Sequence, residues 1–257
     1  MSLHLIGGGW DSSAAAALYG PFLEQAGASP TIACVVLDEG DGLEQFERWA
    51  TVLRRTATCE PVPVLVPLGG TLELAALGAA DGLLVCGGLT PAYADALSPT
   101  AQKLTEWLGD KPYAGFSAGA AIAARHAVVG GWLHGAVPVC TDDAAEDLDQ
   151  VTLVDGLGLL DGPVEVHCAQ WGTLPRLLAA LELAVLAGLA GLAEGAGLAE
   201  GAEGAEGIAL DENTALHVTG DVATVAGIGA ARLVTWRDGT ATVRRRLAGD
   251  RFEVART

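Results

Sequence analysis

The segment Gly115-Phe116-Ser117-Ala118-Gly119-Ala120 is where residue type and spacing point most directly to chemistry. It follows an apolar run, Tyr113 to Phe116, that reads as a short strand, and it precedes a helix-like run from Ala118 to Arg125. A sharp strand-to-helix turn strains the backbone at the serine and lifts its hydroxyl clear of the sheet. Glycines two positions before and two after make room where a side chain would clash. The helix start supplies backbone N–H groups and partial positive charge for an oxyanion forming nearby. Nucleophilic attack by Ser117 on a carbonyl is the chemistry this suits. The competing reading is a chance Gly-x-Ser-x-Gly in a chain with 35 glycines. Placement between a strand and a helix weighs against chance.

A serine nucleophile needs a base, and the base needs a group to orient it. The five histidines are His4, His126, His134, His167 and His217. His4 and His217 fall inside apolar runs, His126 within or just past the helix after the serine, and His134 in a glycine-rich turn. His167 ends the run Val164-Glu165-Val166-His167 and is followed by a loop, Ala169-Gln170-Trp171-Gly172. A strand end is where an open α/β sheet delivers its functional side chains, so pattern favours His167. Satisfied core histidines are the plainer account of the others. The orienting acid stays open at this point. Glu165 shares a strand face with His167 without pointing at it, and Asp211 and Glu212 precede another strand.

The elements that must position these residues change character along the chain. Up to about residue 127, strands and helices alternate. Strand-like runs are Leu3 to Ile6, Thr31 to Leu37, Val62 to Val66, Leu83 to Cys86 and Tyr113 to Phe116. Helix-like runs between them are Ser12 to Ala26, Leu43 to Arg55, Leu72 to Ala80, Pro91 to Leu97 and Thr100 to Leu108. This alternation predicts a mostly parallel sheet flanked by helices, an α/β fold. Thereafter short β-type runs dominate: Val137 to Cys140, Val151 to Val154, Val164 to Cys168, Ala215 to Val218, Val222 to Ala226, Leu233 to Trp236 and Thr240 to Arg244. An Asp238-Gly239 turn between two alternating runs predicts a C-terminal β-hairpin. A helix with Pro175 in its first turn is predicted from Leu174 to Ala193. The Ala/Gly/Glu-rich stretch 194–207 reads as a low-complexity insertion, a frayed helix end or solvated loop. No linker divides the chain, so residues 1–257 are expected to form a single domain.

Composition narrows the function classes. Hydrophobic residues make up 51% and charged residues 18%, which excludes an intrinsically disordered chain. Fourteen Lys and Arg against 32 Asp and Glu give a formal charge of −18. That balance argues against nucleic acid and against docking on an anionic membrane. No apolar run reaches the ~18 residues of a membrane span, and Met1 leads straight into a strand without a basic leader. The five cysteines form no CxxC pair, and Cys34, Cys86 and Cys168 lie in apolar runs, as buried thiols of a reducing compartment would. A cytoplasmic location is expected.

Five blocks in order resemble the dipeptidase E and cyanophycinase family of serine peptidases. They are Leu5-Ile6-Gly7-Gly8-Gly9, Cys86-Gly87-Gly88-Leu89-Thr90, Gly115 to Ala120, Gly156-Leu157-Gly158-Leu159-Leu160 before Val166-His167, and Ile208 to Leu216. The resemblance implies a class I glutamine amidotransferase-like, flavodoxin-like fold and a Ser-His-Glu triad of Ser117, His167 and Glu212. It implies an oxyanion hole from the N–H groups of Gly88 and Ala118. It makes Thr90, Trp171 and Arg176 substrate-binding candidates and a small peptide the partner, with a homodimer as a candidate assembly. Two departures stand out. Where cyanophycinases carry phenylalanine and three spaced arginines after the histidine, this chain has Cys168, Trp171, Thr173 and Arg176. After the Gly-Gly turn it has Leu89-Thr90, half of one family pair. A weaker preference for acidic side chains follows from the lost arginines, with Trp171 expected to stack on flat or aliphatic groups.

Other readings compete. An esterase of the α/β-hydrolase type shares the serine turn but orders its residues Ser, acid, His, and Glu212 with His217 would crowd one short strand. An inactive binding or regulatory homologue suits the lost arginines but not the retention of all three triad positions. A glutamine amidotransferase would need cysteine as nucleophile. Gly7-Gly8-Gly9 lacks dinucleotide-binding spacing, and no cluster has zinc-ligand spacing. Neither a cofactor nor a metal is expected.

Overall fold

The computed structural model describes residues 1–187 and 204–256. Its first half contains β1 (Leu3–Ile6), α1 (Ala15–Ala26), β2 (Thr31–Asp38), α2 (Gly42–Thr56), β3 (Glu60–Pro67), β4 (Gly82–Val85), α3 (Thr90–Leu97), α4 (Ala101–Leu108) and β5 (Tyr113–Phe116). Then come α5 (Ala118–Ala121), β6 (His126–Gly130), β7 (Leu133–His134), β8 (Val137–Pro138), β9 (Thr152–Asp155), β10 (Val164–Glu165), α6 (Cys168–Trp171) and α7 (Leu174–Leu186). The last described strands are β11 (Gly204–Leu210), β12 (Thr214–Thr219), β13 (Val222–Gly227), β14 (Ala231–Arg237), β15 (Thr240–Arg246) and β16 (Arg251–Glu253).

Eight strands form one sheet in the order β16-β13-β12-β1-β5-β4-β2-β3. The run from β1 to β3 is parallel, and β12, β13 and β16 extend it antiparallel beyond β1. The protein is therefore mixed α/β, with a large, mostly parallel sheet flanked by helices. Strand β2 shows why. Its alternate residues Ala33, Val35 and Leu37 join one apolar cluster, with α3 and α4, while Ile32, Cys34 and Val36 join another, with α1 and α2. A strand buried on both faces must be apolar throughout, as this one is. A second sheet, β10-β11-β14-β15, packs α7 against it through Leu177 and Leu181.

Three expectations need correction. The helix after Ser117 stops at Ala121 rather than Arg125, because the carbonyls of Ile122, Ala123 and Ala124 accept N–H groups of Leu157, Leu159 and Gly158 instead of those of a further helical turn. The helix expected over residues 72–80 shrinks to one 3-10 turn, Leu74–Leu77, ended by Gly78 at φ 55°. Residues 204–207, read as part of a solvated loop, are paired in β11 against β14. The rest of that insertion, and the predicted helix beyond residue 187, lie outside the described residues.

Candidate active site

Ser117 occupies the turn between β5 and α5 with φ 52° and ψ −111°. A non-glycine residue in this region is strained and persists only where its surroundings enforce it. The surroundings here are tight. Ser117 N–H donates to the Ile6 carbonyl at 2.8 Å, and the buried Tyr113 hydroxyl donates to the Gly119 carbonyl at 2.6 Å. A Cβ at Gly115 would lie 2.3 Å from the Gly119 carbonyl oxygen, and one at Gly119 would lie 2.2 Å from that of Val85. Both flanking glycines are thus demanded by close backbone approach.

His167 stands just past β10 with φ 51° and starts the short α6. Its Nε2 is 2.8 Å from Ser117 Oγ and its Nδ1 is 2.8 Å from Glu212 Oε1. Glu212 as acceptor puts the proton on Nδ1, so Nε2 is free to accept the serine proton. The backbone N–H of His167 donates to the Gly7 carbonyl. A Cβ at Gly8, where φ is 98°, would lie 2.1 Å from His167 Cε1. The glycine run after β1 is therefore a bare platform for the imidazole. Burial holds the His167 pKa below its ordinary 6.5, against the opposing pull of the Glu212 hydrogen bond and charge. The ring stays neutral and basic at neutral pH.

The three candidate acids divide cleanly. Glu212, half-buried in the turn between β11 and β12, faces His167 and is itself fixed where its N–H donates to Gln170 Oε1. Asp211 accepts N–H groups of Ala169 and Ala230 and pairs with Arg232, which ties α6 to the second sheet. Glu165 grips Arg176 through two hydrogen bonds, from Nε at 2.9 Å and from Nη2 at 2.7 Å.

Gly88 and Ala118 flank the serine, and among the described residues neither N–H has an acceptor. Tyr93 hydrogen-bonds both the Gly87 carbonyl and Leu37 N–H, and so braces the turn that carries Gly88. The substrate-binding candidates fare differently. Arg176 is 3% exposed, is paired with Glu165 and also donates to the Ala144 carbonyl, so it is not an open clamp for a carboxylate. Thr90 is buried and its N–H donates to Glu146. Trp171 lies flat against His167, with ring centroids 4.0 Å apart and planes 7° apart, and keeps 37% of its surface exposed.

A cavity of about 270 Å³ opens beside Ser117, with Trp10, Trp49 and Phe116 among its walls and Gly88 on its edge. Pattern reasoning does not pick out Trp10 and Trp49, and it takes Gly8 only as part of a glycine block and not as the seat of an imidazole. The signal available was the triple glycine and the tryptophan directly after it. Among the described residues no three His, Cys, Asp or Glu side chains come together as a metal site. No family model matches the chain, and no curated protein matches it.

Proposed function

We propose that this protein is a serine hydrolase of the dipeptidase E and cyanophycinase type, cleaving a peptide or amide bond in a small peptide. The observation that carries the reading is the hydrogen-bonded chain Ser117–His167–Glu212 with the serine held at φ 52° on a strand-to-helix turn. The five sequence blocks carry the family assignment and, with it, a class I glutamine amidotransferase-like, flavodoxin-like arrangement of the large sheet. Buried thiols within β2 and directly after β4 suit a cytoplasmic setting.

In this mechanism His167 Nε2 takes the hydroxyl proton as Ser117 Oγ bonds to the substrate carbonyl carbon. The carbonyl oxygen becomes an oxyanion facing the N–H groups of Gly88 and Ala118. Glu212 stabilises the imidazolium that forms. The tetrahedral adduct collapses, the C–N bond breaks, and His167 returns its proton to the leaving amine. Water then attacks the acyl-enzyme, His167 removes its proton, and the acid product leaves as the serine hydroxyl is restored. Incubation with a fluorophosphonate, followed by peptide mass spectrometry, tests the assignment. A single adduct on Ser117, absent in Ser117→Ala and His167→Ala, is expected. Absence of labelling in the folded protein would overturn it. A dipeptide library then identifies cleavable bonds.

A further inference from the structure

The cavity beside Ser117 has an unusual wall for a site read as handling small peptides. Trp10, Trp49 and Phe116 form a mutual aromatic cluster, with centroids 5.0 Å apart for Trp10 and Phe116, 5.2 Å for Trp10 and Trp49, and 5.8 Å for Trp49 and Phe116. Phe116 and Trp49 are buried, whereas Trp10 leaves 43% of its surface open at the mouth. Aromatic rings arranged edge-to-face and tilted leave faces and edges that suit another flat ring better than a polar group. The rim carries Glu39 and Asp41. Among its described lining residues the one cation, Arg48, lies 4.3 Å above the Trp10 ring and donates to Gln45, which in turn donates to Asp41. A carboxylate entering here would meet Glu39 and Asp41 beside Arg48, whose guanidinium rests on the Trp10 ring and bonds Gln45 through Nη1.

Position relative to the reacting atoms identifies which half of the substrate belongs there. The leaving amine must lie toward His167, which protonates it. The cavity holds Ser117 and Gly88 but not His167. It therefore lies on the oxyanion side, away from the base, where the acyl portion extends.

Resting on the serine-hydrolase reading above, we propose that this cavity is the acyl-side subsite and that it selects an aromatic side chain on the residue donating the scissile carbonyl. That ring packs beside Ser117 against the surface the Trp10–Phe116–Trp49 cluster turns to the cavity. Acidic acyl residues are disfavoured by Glu39 and Asp41.

Matched aminoalkylphosphonate diphenyl esters test this directly, because Ser117 displaces phenol from phosphorus while only the acyl-side group varies. Second-order inactivation rates would be compared for benzyl, methyl, carboxymethyl and aminobutyl side chains, alongside a small alkyl fluorophosphonate. Benzyl is expected to react at least about tenfold faster than methyl and carboxymethyl the slowest. Trp10→Ala should bring the benzyl-to-methyl ratio down several-fold. A carboxymethyl or aminobutyl preference, or a benzyl-to-methyl ratio near one in the wild type, would overturn the subsite proposal while fluorophosphonate labelling keeps the hydrolase reading intact. Failure of every probe, the fluorophosphonate included, would instead remove the hydrolase reading and this proposal with it.

Discussion

Two groups of histidine meet the same strand β1, and their surroundings could hardly differ more. At its carboxyl end His167 lies over Gly8 between a hydroxyl and a carboxylate, each at 2.8 Å. Inside the strand, His4 is opposite His217 of β12, with the two Nδ1 atoms 2.9 Å apart. His217 Nε2–H donates to the Ala17 carbonyl, so its Nδ1 accepts and His4 Nδ1 must donate. Among the described residues no carboxylate pairs with either ring. Burial, and then the repulsion from His217, push His4 down to about 3. His217 is lowered too, by burial, against its hydrogen bond to Ala17. Burial acts on all three rings. What separates them is the acid: Glu212 stands at His167, whereas His4 meets the His217 imidazole, the Ser2 hydroxyl and the Gln25 side chain. In the proposed mechanism the first set cycles a proton, a role for which the second has no acid partner among the described residues.

The largest effects expected fall on the first group. Ser117→Ala should lower kcat roughly ten-thousand- to million-fold with little change in unfolding free energy, measured as hydrolysis against a denaturation curve. Glu212→Gln should cost about 10²- to 10⁴-fold in kcat. Glu212 raises the His167 pKa against burial, so its removal should also move the acid limb of kcat/KM to lower pH. A limb that stays in place would mean Glu212 does not act through His167.

The buried pair Glu165–Arg176 sharpens the contrast on the stability side. The two side chains are 2% and 3% exposed. Arg176→Met leaves a buried carboxylate without its partner, which should cost about 3–5 kcal/mol of unfolding free energy. Loss of affinity for acidic substrates at unchanged stability would instead restore the role expected from sequence. The His4–His217 pair has its own signature. Its folded pKa values lie below the ordinary 6.5, so the native state binds fewer protons than the unfolded chain. Its contribution is complete above pH 6.5 and is lost as pH falls toward the folded values. Chemical denaturation at stepped pH should show stability dropping by up to about 1.4 kcal/mol per pH unit for each such histidine below 6.5. A flat profile between pH 6.5 and 5 would break the comparison.

Much of this arrangement was legible because it rests on local constraints. The continuous apolar run of β2 could only be a strand covered on both faces. Gly115 is required by the Gly119 backbone four residues on, so it shows in the local pattern, whereas Gly119 is required by the Val85 carbonyl of the neighbouring β4 and shows only through its place in the Gly-x-Ser-x-Gly turn. Long-range partners do not. To residue pattern alone Glu165, Asp211 and Glu212 are equivalent; the family resemblance points to Glu212, and the packing of α6, α7 and β14 gives each acid its own cation, N–H group or ring. Residues 118–125 read as one helix because alanines favour it, yet the N–H groups of Leu157, Gly158 and Leu159, far downstream, take up the carbonyls of Ile122, Ala124 and Ala123. Trp10 and Trp49 stand on different loops and helices and become a pair only in the fold.

Trp171 should show the smallest effect and the most informative one. Its indole covers one face of the His167 ring, almost parallel, and is 37% exposed on its own account. Aromatic pairs of this kind contribute about 0.5–1.5 kcal/mol beyond buried area. The interaction should strengthen when His167 becomes imidazolium in the transition state, since a cation over an indole face is favoured. Trp171→Ala is therefore expected to lower kcat by about two- to tenfold, leave KM nearly unchanged and shift the acid limb of the pH profile downward, because the protonated ring loses support. Trp171→Phe should retain most of the activity, as a phenyl ring can keep the stack. The opposite split, a raised KM for substrates with flat or aliphatic groups at constant kcat, would make Trp171 a platform for substrate and not a wall for the base. Steady-state kinetics of the two variants on one substrate, repeated across pH, separates these outcomes.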